Sequence, residues 1–199
     1  MKVRDSGMPE KDYWNSFFDS NKLINRLFCN KIIDENITEF GSGYGTFTIP
    51  ASSYTTKNVY ALDIEEDLIK ELKNEAINLN IKNIICKKID FLENGTSLDD
   101  NSQGHVMIYN LLHLENPQKL LKEAFRILKD DGIISIIHWR SDIQTPRGPS
   151  LDIRPKLEDC EEWLKKIGFK VTKHMDLQDI APYHYSILAK KLLISQEST

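Results

Sequence analysis

One short run of residues has the makings of a ligand site: Glu39-Phe40-Gly41-Ser42-Gly43-Tyr44-Gly45. Glycines at alternate positions permit a tight turn and let a ligand approach the backbone closely. Asp63 follows at about the 20-residue offset from which a carboxylate takes ribose hydroxyls. The glycine spacing that suits a pyrophosphate, G-x-G-x-x-G, is missing. Counted from Gly41 its last position is Thr46, and counted from Gly43 it is Thr48. Glu39 points the same way. A carboxylate beside the turn is unfavourable near a pyrophosphate and suits a phosphate-free ligand with a cationic end.

S-adenosylmethionine is such a ligand, with a sulfonium, an ammonium and a ribose. The alternative is a glycine-rich strand-to-helix turn that binds nothing. Elsewhere, His113 and His138 fall at or just after strand ends, where open α/β sheets place their sites. Each is a candidate general base or a hydrogen-bonded wall residue. Arginine is scarce, six against 20 lysines, yet Arg140, Arg147 and Arg154 cluster in one proline-stiffened segment. A planar guanidinium there suits a carboxylate or phosphate on a second ligand, and Arg147 is the leading candidate with Arg140 beside it. Solvated loop arginines are the competing reading. Trp14, Phe17 and Phe18 read as the apolar face of a packed helix, with Tyr13 as a lid candidate.

These residues need a sheet to position them. Strand-like runs fall at 36–40, 59–62, 84–89, 106–109 and 133–138. Between the second and third, Leu68, Ile69, Leu72, Ala76 and Leu79 recur at helical spacing. Between the fourth and fifth, Asn116 reads as an N-cap with Pro117 at the first helical position. Asp131-Gly132 reads as that helix's left-handed end. The alternation predicts a parallel sheet with right-handed crossovers and helices on both faces. A helix over 155–167 and two closely spaced strands, 169–174 and 183–188, predict an antiparallel hairpin at one edge.

The chain has 199 residues and a net charge of −4, with 40% hydrophobic residues. That predicts one globular domain, which we divide as an N-terminal helical cap (1–35), a cofactor-binding core (36–138) and an acceptor-side segment with the sheet edge (139–199). The acidic balance disfavours a nucleic-acid partner held by charge. No apolar run is long enough for a membrane span and no secretion signal is visible. Cys29, Cys86 and Cys160 lack metal-ligand spacing and read as reduced thiols of a cytoplasmic protein, with no metal site.

The run 39–45 resembles the acidic-x-G-x-G-x-G signature of the class I S-adenosylmethionine-dependent methyltransferases. The likeness continues at Val59–Ile64, Lys88-Ile89-Asp90-Phe91, Tyr109–His113 and Leu128–Gly132. It implies a Rossmann-like, doubly wound α/β sheet of seven mostly parallel strands with the last antiparallel. It also implies S-adenosylmethionine as cofactor, with S-adenosylhomocysteine as product. Glu39 and the Gly41, Ser42, Gly43, Tyr44 and Gly45 backbone would orient the methionine end. Asp63 with Ile64 would take the ribose, Asp90 and Phe91 the adenine, and Asn110 and Leu111 would line the pocket. The Asn/Asp-Pro-Pro-aromatic motif of the DNA- and glutamine-amide-modifying branches is replaced by Asn110-Leu111-Leu112-His113, which disfavours that chemistry. The expectation is methyl transfer to a small molecule bearing an anionic group. A cofactor-binding module without turnover stays open, as does, more remotely, a nicotinamide-dependent oxidoreductase.

Overall fold

The computed structural model describes residues 7–192. Seven strands form one sheet: β1 (Ile37–Phe40), β2 (Val59–Asp63), β3 (Ile84–Lys88), β4 (Gln103–Tyr109), β5 (Leu128–Trp139), β6 (Phe169–Lys173) and β7 (His184–Lys191). Their order is β3-β2-β1-β4-β5-β7-β6. The pairs among β1 to β5 are parallel, and β7 runs antiparallel to both β5 and β6. The expected hairpin is present, with β7 inserted between β5 and β6.

Every residue of β1 is buried, so both faces of the sheet are covered. Side chains alternate across the sheet with period two. Phe40, Val106, Ile108 and Ile136 pack with α6 (Pro117–Ile127) and α7 (Leu157–Ile167). Ile37, Val59, Met107 and Ile137 pack on the other face with α2 (Ser20–Leu27) and α3 (Thr48–Ala51). Leu120, Leu121, Ala124 and Ile127 form the buried stripe of α6, and each buried leucine contributes about 1.5–3 kcal/mol. Helix α4 (Glu66–Asn78) buries Ile69, Leu72 and Ala76, with Glu66 and Asp67 at the favourable end of its dipole. Two short helices complete the set, α1 (Lys11–Asn15) before α2 and α5 (Phe91–Asn94) after β3. Among the described residues no helix is long and apolar enough to cross a membrane, and no cluster of three or more His, Cys, Asp or Glu is arranged to hold a metal.

Two local readings need correction. Asn116 has φ 67° and its side chain makes no cap bond, so Pro117 alone shapes the start of α6. That helix ends at Ile127, four residues ahead of Asp131, and the chain turns straight into β5. Asp131 does adopt left-handed geometry (φ 63°), but inside the strand. Gly132 is required there by space, since a Cβ would lie 2.8 Å from the Lys129 carbonyl oxygen. Pairing of Leu128 with Gln103 extends the strand back beyond the predicted 133–138.

Candidate active site

The β1–α3 turn is built by hydrogen bonds to β2. Gly41 N and Ser42 N both donate to the Leu62 carbonyl, at 2.8 and 3.0 Å. Gly43 N donates to Asp63 Oδ2 at 2.8 Å, and Glu65 N donates to Oδ1 at 2.9 Å. Gly41, Gly43 and Gly45 have φ of 69°, 52° and 85°, in the region that favours glycine. At Gly45 a Cβ would also meet Leu72 Cδ1 at 2.2 Å. Asp63 is 4% exposed, and burial raises its pKa against the pull of the N–H groups it accepts. Glu39 lies beneath the turn, its carboxylate accepting from the Thr48 hydroxyl. Burial, with Asp63 near, pushes Glu39 up to about 8.

A cavity of about 330 Å³ opens over this turn, within the size range of small-molecule sites. Gly41, Ser42, Gly43, Asp63, Ile64, Asp90, Phe91, Asn110 and Leu111 line it. Asp90 caps α5 by accepting from Glu93 N at 3.2 Å, and the Phe91 ring meets Phe40 edge-on at 5.1 Å. Asn110 takes φ 59° at the end of β4, and neither its amide oxygen nor its amide nitrogen has a partner among the described residues, although both are buried. The Ser42 hydroxyl is likewise unpartnered. Buried polar groups are nearly always bonded, so these atoms mark where a polar ligand belongs. Glu39, Tyr44 and Gly45 stand behind the wall. Tyr44 Oη donates to the Pro9 carbonyl at 3.1 Å, tying the N-terminal segment across the turn.

The far end of the cavity is aromatic: Trp14, Phe47, Tyr109 and Trp139 line it with His113 and the 147–149 segment. Among the described lining residues Arg147 is the one lysine or arginine, and its guanidinium donates to the Gly7 carbonyl. No carboxylate pairs with it among the described residues. The other two arginines are engaged elsewhere. Arg140 pairs with Asp142 at 2.7 Å, away from this cavity. Arg154, 8% exposed, donates to the carbonyls of Pro149, Arg140 and Arg147 and so knits the loop together. Tyr13 is 47% exposed and packs on Phe17 outside the wall, whereas Trp14 faces the cavity. His138 is fully buried behind His113. Residues 7–9 and Phe47 are site residues that sequence reasoning did not single out, while Tyr109 and Trp139 fall within the two segments it placed at the pocket without being named for a role. Tyr109 and Trp139 follow the rule that strand C-termini line the site, and that signal was available for both.

The cavity suits S-adenosylmethionine on its own chemistry. Its wall offers two carboxylates, glycine backbone with the Leu111 and Met8 side chains laid against it, and unpartnered amide and hydroxyl groups, and among its described lining residues no lysine or arginine besides Arg147 to meet a phosphate. A methyltransferase-domain family model matches residues 38–136. The fold superposes on a SAM-dependent methyltransferase from Aquifex aeolicus with a TM-score of 0.77 at 22% identity, covering 92% of this chain and 94% of that one. Curated relatives include ribosomal protein L11 methyltransferase of Streptococcus thermophilus, 26% identical over 143 residues, covering 71% of this chain and 39% of the relative. Another is a ubiquinone/menaquinone biosynthesis C-methyltransferase of Rickettsia peacockii, 26% identical over 105 residues, covering 50% and 42%. The chain thus spans about two fifths of the length of these curated relatives. It belongs to the class I S-adenosylmethionine-dependent methyltransferases, and its cofactor is S-adenosylmethionine.

Proposed function

We propose that this chain moves the methyl group of S-adenosylmethionine to a small molecule carrying an anionic group. The observation that carries this is the aromatic end of the cavity, with Arg147, which pairs with no carboxylate among the described residues, in its lining. When bound, the cofactor supplies a methyl on a sulfonium, already a good leaving group. The protein's task is then to align the acceptor and exclude water. Asp63 would hold the ribose, Asp90 and Phe91 the adenine, and the Ser42–Gly43 backbone with Asn110 the methionine side. Trp14, Phe47, Tyr109 and Trp139 would sandwich the acceptor, with Gly7 held there by Arg147, while Met8 lies over Gly43 on the methionine side. A neutral carbonyl is the recorded partner of Arg147, so an acceptor carboxylate or phosphate would gain a charge-assisted bond by replacing it.

Arg147→Ala is expected to raise the acceptor KM about 10-fold, the worth of one charge-assisted hydrogen bond, with cofactor Kd unchanged. Steady-state kinetics over a panel of aromatic acids, paired with calorimetry using S-adenosylhomocysteine, reads both quantities. A change in cofactor Kd with acceptor KM unaltered would refute the anion pocket. Tight cofactor binding without transfer to any member of a broad panel would favour a binding module instead.

A further inference from the structure

His113 and His138 form a buried pair whose hydrogen positions can be deduced from their partners. His138 Nδ1 lies 3.1 Å from the Trp139 main-chain oxygen, and His138 Nε2 lies 3.3 Å from His113 Nδ1. A carbonyl only accepts, so His138 Nδ1 carries hydrogen. Burial, with His113 and Arg154 near, lowers His138 to about 3, so its ring holds a single N–H at neutral pH. Its Nε2 is then a lone pair, and His113 Nδ1 must be the donor. Burial and the Arg154 charge lower His113 to about 4, so this ring is neutral as well. Its Nε2 is left as a lone pair with no partner among the described residues, on a side chain that lines the acceptor end of the cavity. The other charged or titratable neighbours of the pair are Arg154 from the 140–156 segment and His184 and Tyr185 from β7.

We propose that His113 Nε2 accepts a hydrogen bond from the O–H or N–H of the methyl acceptor, and that His138 is the positioning residue that reserves that lone pair by holding the hydrogen on His113 Nδ1. This rests on the reading that the cavity takes a small acceptor, and it narrows that reading to neutral hydroxyls and arylamines. As the new O–C or N–C bond forms, the C–S bond breaks with its electron pair staying on sulfur. The acceptor proton passes to His113 Nε2, and the imidazolium returns it to water. A weakly basic imidazole suffices, because a hydroxyl or arylamine becomes strongly acidic once it is alkylated. An alkylammonium of ordinary basicity would keep its proton and have no lone pair to methylate.

Long-range nitrogen–proton NMR on the full chain, labelled at histidine nitrogen and saturated with S-adenosylhomocysteine, reads the tautomer directly. His113 is expected as the Nδ1–H form at pH 7. Free imidazole side chains in water favour Nε2–H, so finding that form at His113 overturns the proposal whatever the activity. His138→Phe is expected to release the tautomer and lower kcat about 10- to 100-fold with cofactor Kd unchanged. His138→Gln, which places an acceptor oxygen near the lost nitrogen, restores part of both. Should the phenylalanine variant fail to fold, the wild-type spectrum still decides. Hydroxybenzoates and aminobenzoates are the acceptor probes, with benzoate and alkylamines for comparison. Preference for alkylamines, or methyl found on carbon, overturns the acceptor class. No transfer to any probe, with the Nδ1–H form intact, instead refutes the small-acceptor reading and leaves the histidine pair standing.

Discussion

Asp63→Ala is expected to weaken binding of S-adenosylhomocysteine by about 1–3 kcal/mol, roughly 5- to 150-fold in Kd. The residue ends β2 with each carboxylate oxygen accepting one main-chain N–H, from Gly43 and Glu65. Each oxygen keeps a second lone pair, so the same carboxylate can brace the glycine turn and receive two ribose hydroxyls. Alanine removes both functions. It strands the Gly43 N–H at the cavity wall and the Glu65 N–H ahead of α4, so the melting temperature falls as well. The two N–H bonds show why it is not a pure binding variant. Asp63→Asn separates the effects. Its amide oxygen can still accept from one of the two N–H groups, so stability recovers more than affinity does. Calorimetric titration of both variants, beside thermal melts, checks this. An alanine variant with wild-type affinity would remove Asp63 from the site.

What the sequence revealed and what it concealed follow from the range of the interactions involved. The turn at 41–45, Asp63, Asp90 and Asn110 each sit at the C-terminal end of a strand, within a few residues of a recognisable local pattern. Phe47 looks in sequence like any core aromatic, because what makes it a wall residue is long-range packing against Phe18 and Tyr109. The Gly7–Pro9 stretch carries no signal at all, since Tyr44 holds Pro9 and Arg147 holds Gly7 from far along the chain. His113 and His138 were visible as strand-end histidines. Their contact was not, because it follows from the β4–β5 register that pairs Tyr109 with Ile137. The same holds for α6. Asp131-Gly132 is a sound cap signal locally, but pairing of Leu128 with Gln103 outweighs it and begins the strand earlier.

Acid should unfold this protein steeply. His105, stacked on Phe28 at 4.1 Å and bonded to Ser135, is lowered by burial to about 3. His138 is lowered to about 3, His113 to about 4, and His184, 4% exposed between Trp139 and Phe18, falls well below its ordinary 6.5. Below pH 6.5 the unfolded chain binds protons at these rings and the native chain does not, so each ring destabilises by about 1.4 kcal/mol per pH unit of descent. Glu39 opposes them. Raised to about 8 from 4.5, it is protonated in the native state and ionised in the unfolded one across that window, so falling pH favours folding there. Four rings against one carboxyl leave a net loss of about 3–4 kcal/mol per pH unit between pH 6 and 4.5. That is a large share of the roughly 5–15 kcal/mol that holds a domain folded. Denaturant melts at pH 7, 6 and 5 measure the slope. His105→Phe, which can keep a ring against Phe28 while Ser135 stays bonded to Tyr109, should lower the slope by about 1.4 kcal/mol per pH unit. Stability that is level from pH 7 to 5 would mean that these imidazoles are charged, or open to water, in the native protein.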